Sequence, residues 1–198
     1  NAIDGNLEKG GWAASLTRSR EGLLPLGLGG TAAGTGINAH PKYRETAVRH
    51  VAALAGAPFV PASNLFEAMQ SMAPFVRLSS DLRGLCLDLT RIANDLRLLS
   101  SGPTTGFYEI VLPAVQPGSS IMPGKVNPVI AEMTNMVCYQ IIGCDTTIAY
   151  AAQAGQLEIN VMMPALGSAL FDAMDWLTAA ARAAAGKGVT GITVDRAA

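Results

Sequence analysis

The sequence has few charged residues: they make up 15% of its 198 positions, where a soluble domain usually has about a quarter. Lysine and arginine total 14 and aspartate and glutamate 15, so the formal net charge is -1. No block of lysine or arginine occurs, which argues against nucleic acid and anionic membranes as partners. A chain this poor in charge is expected to bury surface against other subunits.

Cysteine and histidine are also scarce, with three and two residues. The cysteines are Cys86, Cys138 and Cys144. Their number is odd and their spacing does not match a metal site, so buried, reduced thiols in a cytoplasmic protein are predicted. His40 and His50 lie at a predicted helix start and within the helix that follows, and these positions favour surface or packing roles. The sequence therefore predicts no metal site.

Long apolar runs and strand patterns are nearly absent. The longest uncharged stretch, residues 22–41, is interrupted by glycines and ends near Asn38 and His40. A transmembrane helix is rejected for this stretch, because repeated glycines do not suit a continuous apolar span.

Helical periodicity, in contrast, is strong. Between Pro74 and Gly102, apolar residues recur at steps of three and four, which places them on one helix face with coiled-coil spacing. They are Phe75, Leu78, Leu82, Leu85, Leu89, Ile92, Leu96 and Leu99. Further helices are predicted over 12–24, 41–55, 63–72, 127–153 and 164–185, and Gly56 is predicted to mark the end of the second of these. Long helices with short connections predict an all-α fold, an elongated bundle of long helices.

A loop over residues 117–127 holds a concentration of polar chemistry. Ser119 and Ser120 offer hydroxyls, Lys125 a positive charge and Asn127 an amide, and the next helix directs its positive end toward the same place. This pattern predicts a site for an anion such as a carboxylate. The alternative interpretation is a capped helix after a glycine turn, with Lys125 in solvent.

The loop resembles the signature G-S-x-x-M-x-x-K-x-N of the aspartase/fumarase superfamily. The five fixed positions are occupied by Gly118, Ser119, Met122, Lys125 and Asn127. The resemblance extends to segments 29–36, 92–97, 101–103 and 155–161. It implies a central helix-bundle domain over 11–185, an unmatched segment over 1–10, and the start of a truncated C-terminal region over 186–198.

The resemblance implies that Ser119 is the general base that removes a proton from the carbon next to a carboxylate. Lys125 and Asn127 are implied to bind that carboxylate and to stabilise the aci-carboxylate that forms. Ser120, the adjacent hydroxyl, is a further substrate-binding candidate. A serine hydroxyl is a poor base unless its alkoxide is stabilised, and Lys125 and the helix start favour that.

Two further roles come from the same resemblance. Glu132, which is predicted to lie in the second turn of the helix after the loop, is implied to pair with a catalytic-site histidine. A glutamate near a helix start is also a favourable dipole charge in its own right. Gly118 and Gly124 are implied to be hinges of a mobile loop that closes over a small dicarboxylate. No organic cofactor is implied.

The implied reaction is a carbon–nitrogen lyase reaction that eliminates ammonia from L-aspartate to give fumarate. Segments 144–148 and 155–164 favour it over the alternative, a class II fumarate hydratase that interconverts malate and fumarate. A third possibility is a non-catalytic helical assembly protein. In the superfamily each active site combines segments from three subunits of a tetramer, and this chain supplies only the serine loop. The resemblance therefore implies a homotetramer and no turnover by this chain alone.

Overall fold

The computed structural model describes residues 11–118, 121–122 and 124–194, and the regular structure in them is mainly helical. The α-helices are α1 (Trp12–Glu21), α2 (Tyr43–Ala55), α3 (Leu65–Gln70), α4 (Ala73–Leu99), α5 (Val129–Gln153) and α6 (Met163–Ala183). A π-helical segment, Ala184–Val189, follows α6 directly. The predicted all-α fold is confirmed.

In the described part of the chain, four very short strands accompany the helices. In one parallel pair, β1 (Pro25–Leu26) lies beside β2 (Val60–Pro61), and in one antiparallel pair, β3 (Ile110–Val111) lies beside β4 (Thr193–Val194). None of the four is predicted from the sequence, because two residues are too few to show the alternation that identifies a strand.

The described residues form two compact units. The first lies within the ranges 1–82 and 144–170, and the second within the ranges 83–143 and 171–198. In the first unit Val48 and Ile148 are almost completely buried, and the buried Ser79 donates a hydrogen bond of 2.6 Å to the buried carboxylate of Asp145. Cys86, Cys138 and Ile141 are the most deeply buried side chains of the second unit.

The predicted apolar stripe of α4 lies on the inward face of the helix, but it is not the most buried line. Of its eight residues only Leu78 and Leu82 are buried, and the other six are half-buried. The deepest positions of α4 recur every seven residues, at Ser79, Cys86 and Ala93. All three side chains are small, and small side chains let neighbouring helices approach closely.

Several helix ends agree with their sequence signals. Gly56 ends α2 in the left-handed conformation, with φ of 60° and its N–H bonded to the carbonyl of Ala52, as its position just past the helix predicted. The third helix is shorter than predicted and begins after Asn64, whose side chain accepts hydrogen bonds from the N–H groups of Phe66 and Glu67. Within the described residues, no helix has both the length and the apolarity needed to cross a membrane.

The C-terminal end of α5 is closed by the side chain of Asn160, which is 2% exposed. Its amide donates to the carbonyls of Ala151 and Ala152 at 2.9 and 3.1 Å, and its oxygen accepts from the N–H of Met162 at 2.8 Å. Helix ends leave carbonyls without partners inside the helix. Asn160 therefore supplies the donors that the last turn of α5 needs.

Replacing Asn160 with alanine is expected to lower the free energy of unfolding by about 2–4 kcal/mol, because three hydrogen bonds are lost and polar backbone groups stay buried. Urea unfolding followed by circular dichroism measures the change. Gln153→Ala, at an exposed position of the same helix end, is the control and should shift stability by less than about 0.5 kcal/mol. Equal midpoints for the two variants would contradict this role of Asn160.

Candidate active site

The loop with the family signature and the start of α5 both lie in the second unit. Of the predicted site residues, the structure describes Gly118, Gly124, Lys125, Asn127 and Glu132. The other two, Ser119 and Ser120, lie outside the described residues.

The two ends of the loop meet at Gly118. A Cβ atom on Gly118 would lie 2.6 Å from the carbonyl oxygen of Lys125, so a side chain there would force the backbone apart. Gly124 has φ of 82°, a conformation that glycine adopts without strain. The Lys125 N–H donates to the carbonyl of Met122 at 3.1 Å. Both glycines are therefore required by this loop geometry, and their hinge role stays a prediction.

Helix α5 begins at Val129, two residues later than predicted. The N–H of Val129 donates to the backbone carbonyl of Asn127 at 2.8 Å, and the N–H of Glu132 donates to that of Pro128 at 3.0 Å. Glu132 consequently lies in the first turn of α5, where the sequence placed it in the second. Its carboxylate is favourable at the positive end of the helix dipole.

Lys125 is exposed, whereas Asn127 and Glu132 are half-buried. The apolar residues of the same loop also face solvent, with Ile121 86% exposed and Met122 49% exposed. The loop therefore presents both a positive charge and exposed apolar surface.

A polar network links α4 to the first turns of α5. It was not predicted from the sequence. The amide of Asn135, which is 2% exposed, donates to the side-chain oxygen of Asn94 at 2.7 Å, and Arg97 donates to that same oxygen at 3.3 Å. Asn135 follows Glu132 by one turn, so the network helps to hold the first turns of α5. The available signal was an asparagine, a poor helix former, inside a predicted long helix.

Three cysteines in the described residues are free. Cys86 and Cys138 are fully buried, as predicted, but Cys144 is only half-buried. The hydrogen bond between Cys86 and Cys138 raises the pKa of the Cys86 thiol, and burial raises it further, so Cys86 stays protonated at neutral pH. The described residues contain no group of three or more His, Cys, Asp or Glu side chains that could hold a metal ion.

Comparison with known proteins assigns this all-α chain to the lyases. The family described as "Lyase" matches residues 13–143, and the chain belongs to it. Within that class it is a member of the aspartase/fumarase superfamily.

The similarity to individual proteins is high. Aspartate ammonia-lyase from Pseudomonas canavaninivorans is 50% identical over 91% of this chain and 38% of the relative. Fumarate lyase:delta crystallin from Brucella melitensis superposes with a TM-score of 0.90 at 46% identity, over 93% of this chain and 40% of that chain. Class II fumarase from Schistosoma mansoni superposes with a TM-score of 0.88 at 36% identity, over 94% of this chain and 42% of that chain. The chain thus spans 38% of the length of the first curated relatives.

Proposed function

We propose that the complete protein carrying this chain is an ammonia-lyase that converts L-aspartate to fumarate and ammonia. The observation that carries the proposal is 50% identity to an aspartate ammonia-lyase over 91% of the chain, with every fixed position of the loop signature present. Residues 11–185 are proposed as the central domain, with residues 117–127 as its catalytic loop and 186–198 as the start of the next region.

The proposed chemistry begins at Ser119, whose alkoxide takes a proton from the carbon next to the substrate carboxylate. The electron pair of the broken C–H bond moves into that carboxylate and forms the aci-carboxylate. Its extra negative charge is stabilised by Lys125, Asn127 and Ser120, since fixed donors in a dry site act most strongly as charge develops. The pair then forms the double bond of fumarate, and ammonia leaves with the electrons of the C–N bond.

The contact between the two ends of the loop supports this scheme. Lys125 adjoins Gly118 through its backbone, so a change at Gly118 would displace the cation that binds the carboxylate. Glu132, in the first turn of α5, is proposed to hold a catalytic-site histidine supplied from outside this segment. Gly118 and Gly124 are proposed to let the loop close over the substrate.

A homotetramer in the cytoplasm is part of the same proposal. The outward face of α5 has exposed Met136, Tyr139 and Tyr150, and no charged residue of this helix is exposed. A face of this kind is favourable to cover with another subunit. Light scattering that gives the mass of one chain for the complete protein would contradict the tetramer, and cell fractionation tests the location.

Fumarate hydratase is the second candidate, because the class II fumarase also superposes closely. A non-catalytic assembly role is the third, and the intact Ser119, Lys125 and Asn127 argue against it.

Fumarate formation followed by ultraviolet absorbance tests these candidates. The complete protein should release fumarate from L-aspartate faster than from L-malate, and the 198-residue chain should release none. Lys125→Gln should lower kcat/KM by about 10²–10³-fold, whereas the exposed Lys42→Gln should leave it unchanged. Faster release from malate would favour the hydratase, and no release from either substrate would favour the assembly role.

A further inference from the structure

A cleft of about 370 Å³ lies in the first unit, between α1 and the first turns of α4. Clefts of this size hold small ligands. The polar side chains that line it are Ser15, Arg18, Ser19, Arg77, Ser80 and Asp81. None of them belongs to the loop over 117–127, and the proposed reaction uses none of them.

One wall of the cleft is organised around Asp81. Ser15 donates its hydroxyl to one carboxylate oxygen of Asp81 at 2.8 Å, and Ser19 donates to the other at 2.6 Å. Hydrogen bonds to a charged acceptor are short and strong, so these bonds join α1 to α4. Each oxygen of Asp81 therefore has a hydroxyl partner from within the protein.

The charged side chains that line the cleft have a net positive charge. Among the described residues that line it, the guanidinium groups of Arg18 and Arg77 outnumber the single carboxylate of Asp81. Both arginine side chains are exposed, one on each side of the cleft. The formal net charge of the chain is -1, so the local excess of positive charge does not simply follow the composition.

We propose that this cleft binds a small divalent oxyanion, held by Arg18 and Arg77 with the Ser80 hydroxyl nearby. Arginine presents several donors in a planar fork that matches the oxygens of a phosphate or a carboxylate. Two such groups across one small cleft suit an anion with two negative charges. Inorganic phosphate and a small dicarboxylate share this chemistry, and the binding test distinguishes them.

Isothermal titration of the complete protein at low salt, with inorganic phosphate or succinate as the probe, tests the proposal. Arg18→Gln and Arg77→Gln should each weaken binding about tenfold or more, because each removes charge-assisted hydrogen bonds. Arg20→Gln, at an exposed position of the same helix that does not line the cleft, is the matched control and should bind normally. Thermal unfolding of each variant checks that the fold is retained.

Lys125→Gln separates this site from the proposed catalytic loop. The proposal is supported if Arg18→Gln or Arg77→Gln weakens binding of a probe and Lys125→Gln does not. The probe that gives this result identifies the kind of anion that the cleft binds. The absence of saturable binding of both probes would overturn the proposal. The proposal would also be overturned if Arg20→Gln weakened binding as much as the cleft variants, or if only Lys125→Gln weakened it. Neither result tests whether Ser119 acts as a base.

Discussion

Replacing Ser119 with alanine is expected to lower kcat of the complete protein for L-aspartate by about 10²–10⁴-fold, because the group that accepts the carbon-bound proton is removed. Lys125 and Asn127 remain, so substrate binding should persist and KM should change much less than kcat. Steady-state assays of fumarate release measure both constants. Ser119 itself lies outside the described residues, and the expectation rests on the loop signature.

Two measurements make this test specific. Exchange of the substrate proton with deuterium from solvent reports proton removal separately from C–N bond cleavage, and Ser119→Ala should abolish it. Ser168→Ala, at an exposed position of α6, should leave both exchange and turnover unchanged. Normal turnover in the Ser119 variant would contradict the serine-base mechanism. It would not contradict the lyase activity, because another residue could then act as the base.

Replacing Gly34 with alanine is expected to lower the free energy of unfolding by about 3–5 kcal/mol. A Cβ atom at Gly34 would lie 2.5 Å from Cα and 2.6 Å from the nitrogen of Phe66. Those atoms are backbone, so no rotation of a side chain relieves the overlap. Gly34 also has φ of 86°, which strains any residue with a side chain. Thermal and urea unfolding measure the loss.

Gly167→Ala is the matched control. This glycine lies inside α6, and an added Cβ would meet no atom within 4 Å. Alanine in a helix interior is more favourable than glycine by about 0.5–1 kcal/mol, so this variant should be slightly more stable than the parent. If Gly34→Ala unfolded at the same temperature as Gly167→Ala, the close approach at Phe66 would not describe the protein in solution.

The order of the helices could be predicted from the sequence, because each helix depends on signals within a few residues of itself. The spacing of apolar residues predicted α4 between Pro74 and Gly102, and Gly56 predicted the end of α2. The predicted ends were less accurate. Helix α1 stops at Glu21 instead of Leu24, since Gly22 ends it and the chain then enters β1.

The candidate site was predictable only in part. The signature identified the loop because its fixed residues lie within ten positions of one another. The contact of Gly118 with the Lys125 carbonyl, however, depends on how the chain returns on itself. Asn135 was missed for a related reason: its partner Asn94 is 41 positions away, and no local pattern connects them.

The sequence by itself determined the all-α class, the order of the long helices and the family signature, since these depend on local periodicity and on neighbouring residues. Only the tertiary structure decided which side chains meet. It placed small residues rather than leucines on the most buried line of α4, and it brought Ser15 and Ser19 to Asp81 across more than sixty positions. Such contacts follow from how helices pack, and helix packing depends on the shapes of both partners together.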